Sequence, residues 1–259
     1  MKNSVLVIIP TYNERENIGA AVSRVHEAAP DVDIVIVDDN SPDGTGRIAD
    51  DMASADPRLS VLHRAGKEGL GPAYLAGFAY GIQKGYEILV EMDADGSHPA
   101  DTLPEMIRTL RDDTAGALGG VIGSRWVRGG AVANWPKSRE LISRGGSWYA
   151  RLMLGVKVRD VTAGYRVYRA DVLDSLGLDT IASAGYCFQI DLTRRVLNAG
   201  YGLAEVPIVF RDRELGESKM SMGIMAEAML KVTAWGAQRV FTRGSDASPA
   251  AATRASDRA

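Results

Sequence analysis

Short apolar runs alternate with longer amphipathic stretches through the first half of the chain. Ser4–Pro10 (SVLVIIP), Val32–Asp38 (VDIVIVD), Leu59–His63, Tyr86–Met92 and Leu118–Ser124 read as strands. Their apolar residues are continuous rather than alternating, the pattern of strands buried on both faces. Between them, Arg15–Ala29, Asp43–Ala55, Leu70–Lys84 and Ala100–Asp112 carry helical periodicity, and Asn13 and Glu16 stand at capping-box spacing before the first helix. Repeated βα units predict an α/β protein with a mostly parallel, doubly wound sheet flanked by helices on both faces.

The rhythm changes after Arg125. Gly-rich Trp126–Trp135 reads as a loop, Pro136–Leu154 as a helix despite Gly145-Gly146, Val161–Tyr168 as a strand, Gly185–Ala199 as a helix and Gly202–Phe210 as a strand. A charged loop, Arg211–Ser221, precedes a helix over Met222–Phe241, with Met222, Met225, Met229, Val232 and Trp235 at i+3/i+4 spacing. No linker composition interrupts residues 1–242, so one domain with two lobes, about 1–98 and 99–242, is expected. Residues 243–259 lack periodicity and read as a disordered tail.

Composition narrows the function. The 259 residues are 46% apolar and 24% charged, which is ordinary for a globular protein. The single cysteine, Cys187, excludes an internal disulfide framework and a multi-cysteine zinc site, and a reducing compartment follows. His26, His63 and His98 are too scattered for a histidine cage. The net charge of −3 excludes a basic nucleic-acid footprint over the whole chain. The charge is uneven, however: residues 125–169 hold ten arginines and lysines against Glu140 and Asp160 alone. That excess points to an anionic partner or to a solvated basic face. No run approaches the ~20 apolar residues of a membrane span, and the N-terminal run is too short for a signal peptide. A soluble or peripheral protein is expected.

Open parallel sheets bind ligands beyond the carboxyl ends of their strands, and the polar residues gather there. Asp93-Ala94-Asp95 follows a buried apolar strand. Two unpaired carboxylates there would repel and lose solvation, a conflict that a divalent cation with diphosphate oxygens resolves; the alternative is a loop that caps the next helix. Asp38-Asp39-Asn40-Ser41 is either a turn with local Asx bonds or a carboxylate contact for a nucleotide base or ribose. Lys67-Glu68-Gly69-Leu70-Gly71 opens a helix whose N-terminus favours anions. Neither a G-x-G-x-x-G after the first strand nor a G-x-x-x-x-G-K-[ST] is present, which disfavours a dinucleotide oxidoreductase and a P-loop enzyme.

Five segments in order carry a specific resemblance: VIIPTYNE (7–14), IVDDNSPDGT (36–45), Lys67 with Gly69-Leu70-Gly71-x-Ala73-Tyr74, MDADGSHP (92–99) and Gly123-Ser124-Arg125. The chain resembles the family-2 inverting glycosyltransferases of GT-A fold, and within them the dolichol-phosphate (polyprenol-phosphate) mannose synthase group. Asp160–Arg166 resembles that group's acceptor-side motif and Arg213–Lys219 its loop motif. The resemblance implies nucleotide-sugar contacts at Pro10, Tyr12, Glu14, Val37, Asp39 and Lys67. It implies a Mg2+ or Mn2+ and diphosphate site at Asp93, Ala94 and Asp95, with Ser97 joining through a bridging water. Arg125, Arg213 and Lys219 match positive groups around the phosphates.

The implied reaction is transfer of mannose from GDP-mannose to a polyprenyl (dolichyl) phosphate, giving a β-linked product. Two alternatives remain: UDP-glucose as donor, and a non-catalytic nucleotide-binding module that recruits a membrane partner. An acceptor phosphate is already anionic, so it needs cations rather than a general base; Arg125, Arg139, Arg144 and Arg166 are the candidates. Asp191 is the best spare acid, and a helix-surface charge is its alternative reading. His98 is a candidate neighbour of the metal residues, and Cys187 a small buried side chain. Work at the cytoplasmic membrane face, through the surface or an embedded partner protein, is expected. Pro136–Leu154 or Met222–Phe241 would then meet the lipid.

Overall fold

The structure, a computed structural model, describes residues 4–181, 186–212 and 228–238. Seven strands form the central sheet in the order β3-β2-β1-β4-β7-β5-β8. These are β1 (Val5–Thr11), β2 (Asp33–Asp38), β3 (Leu59–His63), β4 (Ile88–Glu91), β5 (Leu118–Ser124), β7 (Arg166–Arg169) and β8 (Gly202–Pro207). All pair in parallel except β7, which lies antiparallel between β4 and β5. The expected doubly wound sheet is present, with one inverted strand. Because β7 runs backwards, the loop before it opens on the same edge as the loops after the other strands.

The apolar runs form strands because both faces are covered. On one face, α1 (Ile18–Ala28) and α4 (Leu103–Arg111) pack Val22, Val25, Leu103 and Met106 against Val7, Ile9 and Val90. On the other face, α3 (Leu70–Gln83) and α7 (Tyr186–Asn198) bring Tyr74, Phe78 and Phe188 against Ile8, Val35 and Leu89. The glycines of α3 permit close approach: a Cβ at Gly77 would stand 2.4 Å from Ile8, and one at Gly81 2.4 Å from Leu89. Further helices include α2 (Thr45–Ala55), α5 (Lys137–Leu154) and the short α6 (Ala170–Ser175). A third cluster joins Ala150 and Leu154 of α5 to Ile122, Val161, Ile190 and Val232. A small second sheet pairs β6 (Ala131–Ala133) with β9 (Val209–Arg211) in parallel.

Several boundaries differ from the sequence reading. Asn13 is not a helix cap; it adopts a left-handed conformation at φ 61°, and α1 starts only at Ile18. Val161–Tyr168 contributes only its last residues, Arg166–Tyr168, to a strand, and the region read as a loop contains β6. Gly202–Phe210 is two strands, β8 and β9, which belong to different sheets. Residues 222–227 and 239–241 of the expected Met222–Phe241 helix and the whole 243–259 tail lie outside the described residues; residues 228–238 are helical, with Val232 buried and Met229 and Leu230 exposed.

A buried polar layer underlies the sheet edge. Glu91 of β4 is opposite Arg166 of β7 in register, and both are 0% exposed. The Gln189 side-chain amide donates to Glu91 Oε2 at 2.9 Å. Burial pushes the Glu91 carboxyl up to about 8, against the opposing pull of Arg166 and Gln189. The folded chain therefore holds this proton over a range in which the unfolded chain, titrating near 4.5, has released it. Glu91 thus makes stability fall as pH rises from about 5 to about 8. Glu91→Gln is expected to flatten that fall, read as urea midpoints across the range; an unchanged pH slope would contradict it.

Candidate active site

The strands deliver the polar loops to one edge, and local bonds shape them. Thr11 Oγ1 donates to Asp38 Oδ1 at 2.9 Å, and Ser41 Oγ donates to the same oxygen at 2.6 Å. Asp43 accepts from the Thr45 hydroxyl and backbone N–H, and the Glu14 N–H donates to Thr45 Oγ1 at 3.0 Å. Asp38 and Asp43 are therefore loop-forming acids, as the Asx-turn reading expects. Asp39 is different: 4% exposed, it pairs with Arg64 from the loop after β3. Desolvation raises its carboxyl pKa, and Arg64 opposes that rise. Lys67 Nζ lies 4.1 Å from the centroid of the Tyr12 ring, which joins two of the nucleotide-site candidates. Pro10 and Glu14 line this region half-buried, whereas Val37 is fully buried in the core, so its side chain is corrected from binding to packing.

The Asp93–Asp95 loop is tightly held. The Asp93 N–H donates to His98 Nδ1 at 3.0 Å, and the Tyr74 hydroxyl donates to Asp93 Oδ1 at 2.8 Å. Burial and the neighbouring Asp93 carboxylate hold the Tyr74 proton on, so it stays a donor. The Ser97 N–H donates to Asp95 Oδ1 at 3.0 Å. The Ala94 methyl packs into the core between the two acids. Ser97 Oγ is buried without a hydrogen-bond partner. Among the described residues no group of three or more histidine, cysteine or acidic side chains forms a ready-made metal cage. The oxygen donors of Asp93, Asp95 and Ser97 nonetheless suit a hard cation that draws its other ligands from a bound diphosphate and water.

A second cluster is built around Arg125. Its guanidinium and backbone N–H both reach Asp160: Nε to Oδ2 at 2.7 Å, Nη2 to Oδ1 at 2.7 Å and N to Oδ2 at 2.9 Å. The two side chains are 5% and 0% exposed. Thr162 Oγ1 accepts from Arg125 Nη2 at 3.0 Å and meets Ser147 Oγ of α5 at 3.3 Å, which ties α5 to the sheet edge. Arg125 is thus a buried structural cation rather than an open phosphate ligand. Arg166 is corrected more strongly: it is 0% exposed and donates to the Ala163 and Val161 carbonyls, Tyr168 and Thr193. It cannot meet an acceptor without unpacking the core. Arg139 and Arg144 of α5 remain, 23% and 50% exposed and paired with Asp212 and Glu140.

The acid loop and Trp135 are bridged by Phe210 of β9. The Phe210 ring centroid is 5.7 Å from His98 and 5.4 Å from Trp135. His98 also stacks on Tyr165 at 5.0 Å, and its placement beside the acid loop agrees with expectation. Asp191 is 3% exposed and bridged to Arg194 and Arg195 of its own helix. Cys187 is buried as expected, and His63 pairs with Asp50 at the surface. Arg213 and Lys219 lie outside the described residues. Sequence reasoning counted Asp160 as a charge and as the first residue of the acceptor-side motif but gave it no role, and took Trp126 and Trp135 only as the ends of a loop.

The sequence pattern of the glycosyl transferase family 2 matches residues 6–177. The chain belongs to this family. It is 55% identical to a polyprenol monophosphomannose synthase of Mycolicibacterium smegmatis, over 89% of this chain and 86% of that protein. It is 54% identical to an undecaprenyl-phosphate mannosyltransferase of Micrococcus luteus, over 90% of this chain and 93% of that one. Its fold resembles, with TM-score 0.63 and 20% identity over 91% of this chain and 79% of the other, a glucosyl-3-phosphoglycerate synthase of Mycobacterium tuberculosis solved with Mn2+, UDP and glucosyl-3-phosphoglycerate. A mannosyltransferase of Pyrobaculum calidifontis in complex with GDP-mannose and Mn2+ matches with TM-score 0.56 and 19% identity, over 95% of this chain and 76% of that one. The fold is GT-A and the protein is a glycosyltransferase.

One stability outcome follows from the Arg125–Asp160 pair. Asp160→Ala leaves a buried guanidinium uncompensated and is expected to cost about 3–5 kcal/mol, measured by urea unfolding. A loss under about 1 kcal/mol would show the pair to be dispensable.

Proposed function

We propose that the protein transfers mannose from GDP-mannose to a polyprenyl (dolichyl) phosphate with inversion, producing a β-linked polyprenyl-phosphate mannose. The observation that carries this reading is the chain of contacts at one sheet edge that links the Asp93–Asp95 loop, through His98, Phe210 and Trp135, to Arg139 of α5. The high identity to relatives named for polyprenyl-phosphate mannosylation supports the choice of sugar and acceptor. Base and sugar have a second candidate in UDP-glucose, because a fold neighbour is bound to UDP.

Asp93 and Asp95, with Ser97 directly or through water, would hold Mg2+ or Mn2+. When bound, the cation supplies Lewis-acid neutralisation of the departing diphosphate. The chain's own residues do the rest. Asp39, held by Arg64, faces the nucleoside, and Tyr12 and Lys67 flank it. Arg213 and Lys219 are assigned to the diphosphate. Arg139 and Arg144 present guanidinium forks to the acceptor phosphate and offset its repulsion from the donor. That phosphate is already an anionic nucleophile, so no residue need remove a proton, and Asp191 keeps its structural pairing. One displacement at C1 inverts the anomeric centre.

Asp95→Ala is expected to lower transfer about 100-fold or more while the fold survives, because charge stabilisation of the leaving group is lost. Labelled GDP-mannose should be used in preference to UDP-glucose, and excess chelator should stop the reaction. Near-normal turnover in chelator, or preference for UDP-glucose, would contradict the reading.

The acceptor is a lipid, and the protein is assigned to the cytoplasmic membrane face. Among the described residues no helix is long and apolar enough to cross a membrane. Instead α5 exposes Leu141 (73%), Ile142 (51%), Trp148 (62%) and Leu152 (57%) beside Arg144 and Arg151. This face suits shallow insertion into an anionic leaflet, where each basic residue at the surface contributes about 1 kcal/mol. Binding to anionic liposomes is expected to weaken with salt. The Trp148→Ser/Leu152→Ser pair should weaken it further and leave turnover of a short water-soluble isoprenyl phosphate unchanged. Co-sedimentation equal to wild type would move the contact elsewhere.

A further inference from the structure

The arginines of the acceptor side alternate with tryptophans. The Arg139 guanidinium carbon lies 4.1 Å from the centroid of the Trp135 ring, and that of Arg144 lies 4.2 Å from Trp126. Arg125 stands between the two indoles, 5.1 Å from Trp126 and 5.6 Å from Trp135. Three guanidiniums and two indoles therefore form one assembly, ordered Arg144, Trp126, Arg125, Trp135, Arg139. Its centre cannot swing, because Asp160 clamps Arg125 through three hydrogen bonds. Trp135 is further braced edge-to-face against Phe210 at 5.4 Å.

Physical chemistry gives this arrangement a purpose. A free arginine side chain loses considerable rotamer entropy when it binds a ligand. An indole face attracts a guanidinium and keeps its plane flat against the ring, so part of that entropy is lost before the ligand arrives. The counterions do not supply the same constraint: Asp212 meets Arg139 at Nη1, and Glu140 meets Arg144 at Nε, each along one edge of the fork. The ring fixes the plane, and the carboxylate fixes only an edge. Resting on the assignment of Arg139 and Arg144 to the acceptor phosphate, we propose that Trp135 and Trp126 are positioning residues that hold those two guanidiniums in the receiving orientation. They set acceptor affinity through the arginines and leave the nucleotide site untouched.

The test is steady-state kinetics with a short water-soluble isoprenyl phosphate as acceptor, each variant assayed below its own thermal midpoint. Trp135→Leu is expected to raise the acceptor KM about three- to tenfold and to leave the donor KM within about twofold. Trp135→Phe keeps an aromatic face and should restore the acceptor KM to within about twofold of wild type. In an Arg139→Ala background, Trp135→Leu should add almost nothing, because it acts through that arginine. Trp126 and Arg144 should behave as a second such pair. Should Trp135→Leu fail to fold, Trp135→Met replaces it as the non-aromatic variant. An unchanged acceptor KM in the non-aromatic variant, equal impairment by Phe and Leu, or effects that multiply in the double variant would each overturn the inference. If Arg139→Ala and Arg144→Ala leave the acceptor KM unchanged, the arginine assignment itself fails and the inference falls with it. If they raise it while Trp135→Leu does not, only the positioning role is lost.

Discussion

The buried Arg125–Asp160 pair ties the end of β5 to the turn before β7. Taking both charges out of water is costly, and the pair repays that cost only because its geometry is saturated. Asp160 accepts from Arg125 three times, its own backbone N–H donates to Glu205 of β8 at 3.0 Å, and Thr162 accepts from the guanidinium. The end of β5, the turn before β7, the strand β8 and the helix α5 all converge on these few atoms. That convergence is possible because β7 runs antiparallel: its inversion carries residues 160–165 to the edge where the parallel strands already deliver their loops.

From that junction the charge separates by function. Acids lie toward β1, β2 and β4, the side to which we assign the nucleotide and the cation. Arginines lie toward α5, the side to which we assign the acceptor phosphate. The cationic excess of residues 125–169 is thus divided: Arg125, Arg166 and Arg169 hold the fold from within, while Arg139 and Arg144 of α5 stay partly open to solvent. Net charge over a segment overstates what a ligand sees, because part of it is structural. The Glu91 layer beneath the edge makes the same point for acids: a carboxyl at a strand end, two residues from Asp93, is fully buried and packs rather than binds.

Much of this was readable in advance, and for identifiable reasons. Strands β1, β2 and β5 announce themselves because burial on both faces requires unbroken apolar runs. The Asp93–Asp95 loop stands out because two acids at the end of such a run have no cheap structural use. β7 was hard to delimit because RVYR, with an arginine at each end, carries no period. Its pairing is decided by Glu91 and by the carbonyls that receive Arg166 and Arg169. The split of Gly202–Phe210 into two strands was equally hidden: nothing local marks where β8 leaves β5 and β9 joins β6. Arg125 and Arg166 read as ligands because arginine in a motif looks available, and only the positions of Asp160, Thr193 and Tyr168 show that they are occupied.

In the proposed reaction a phosphate held by the α5 arginines displaces the nucleoside diphosphate in one step, without an enzyme nucleophile. The stereochemistry of the product reads that step. GDP-mannose labelled with carbon-13 at C1 is incubated with polyprenyl phosphate and the divalent cation. The one-bond carbon–hydrogen coupling at the anomeric carbon of the lipid product is then measured by NMR. A β-mannosyl phosphate is the predicted product. An α-linked product would mean retention, which a single in-line displacement cannot give, and would contradict the account.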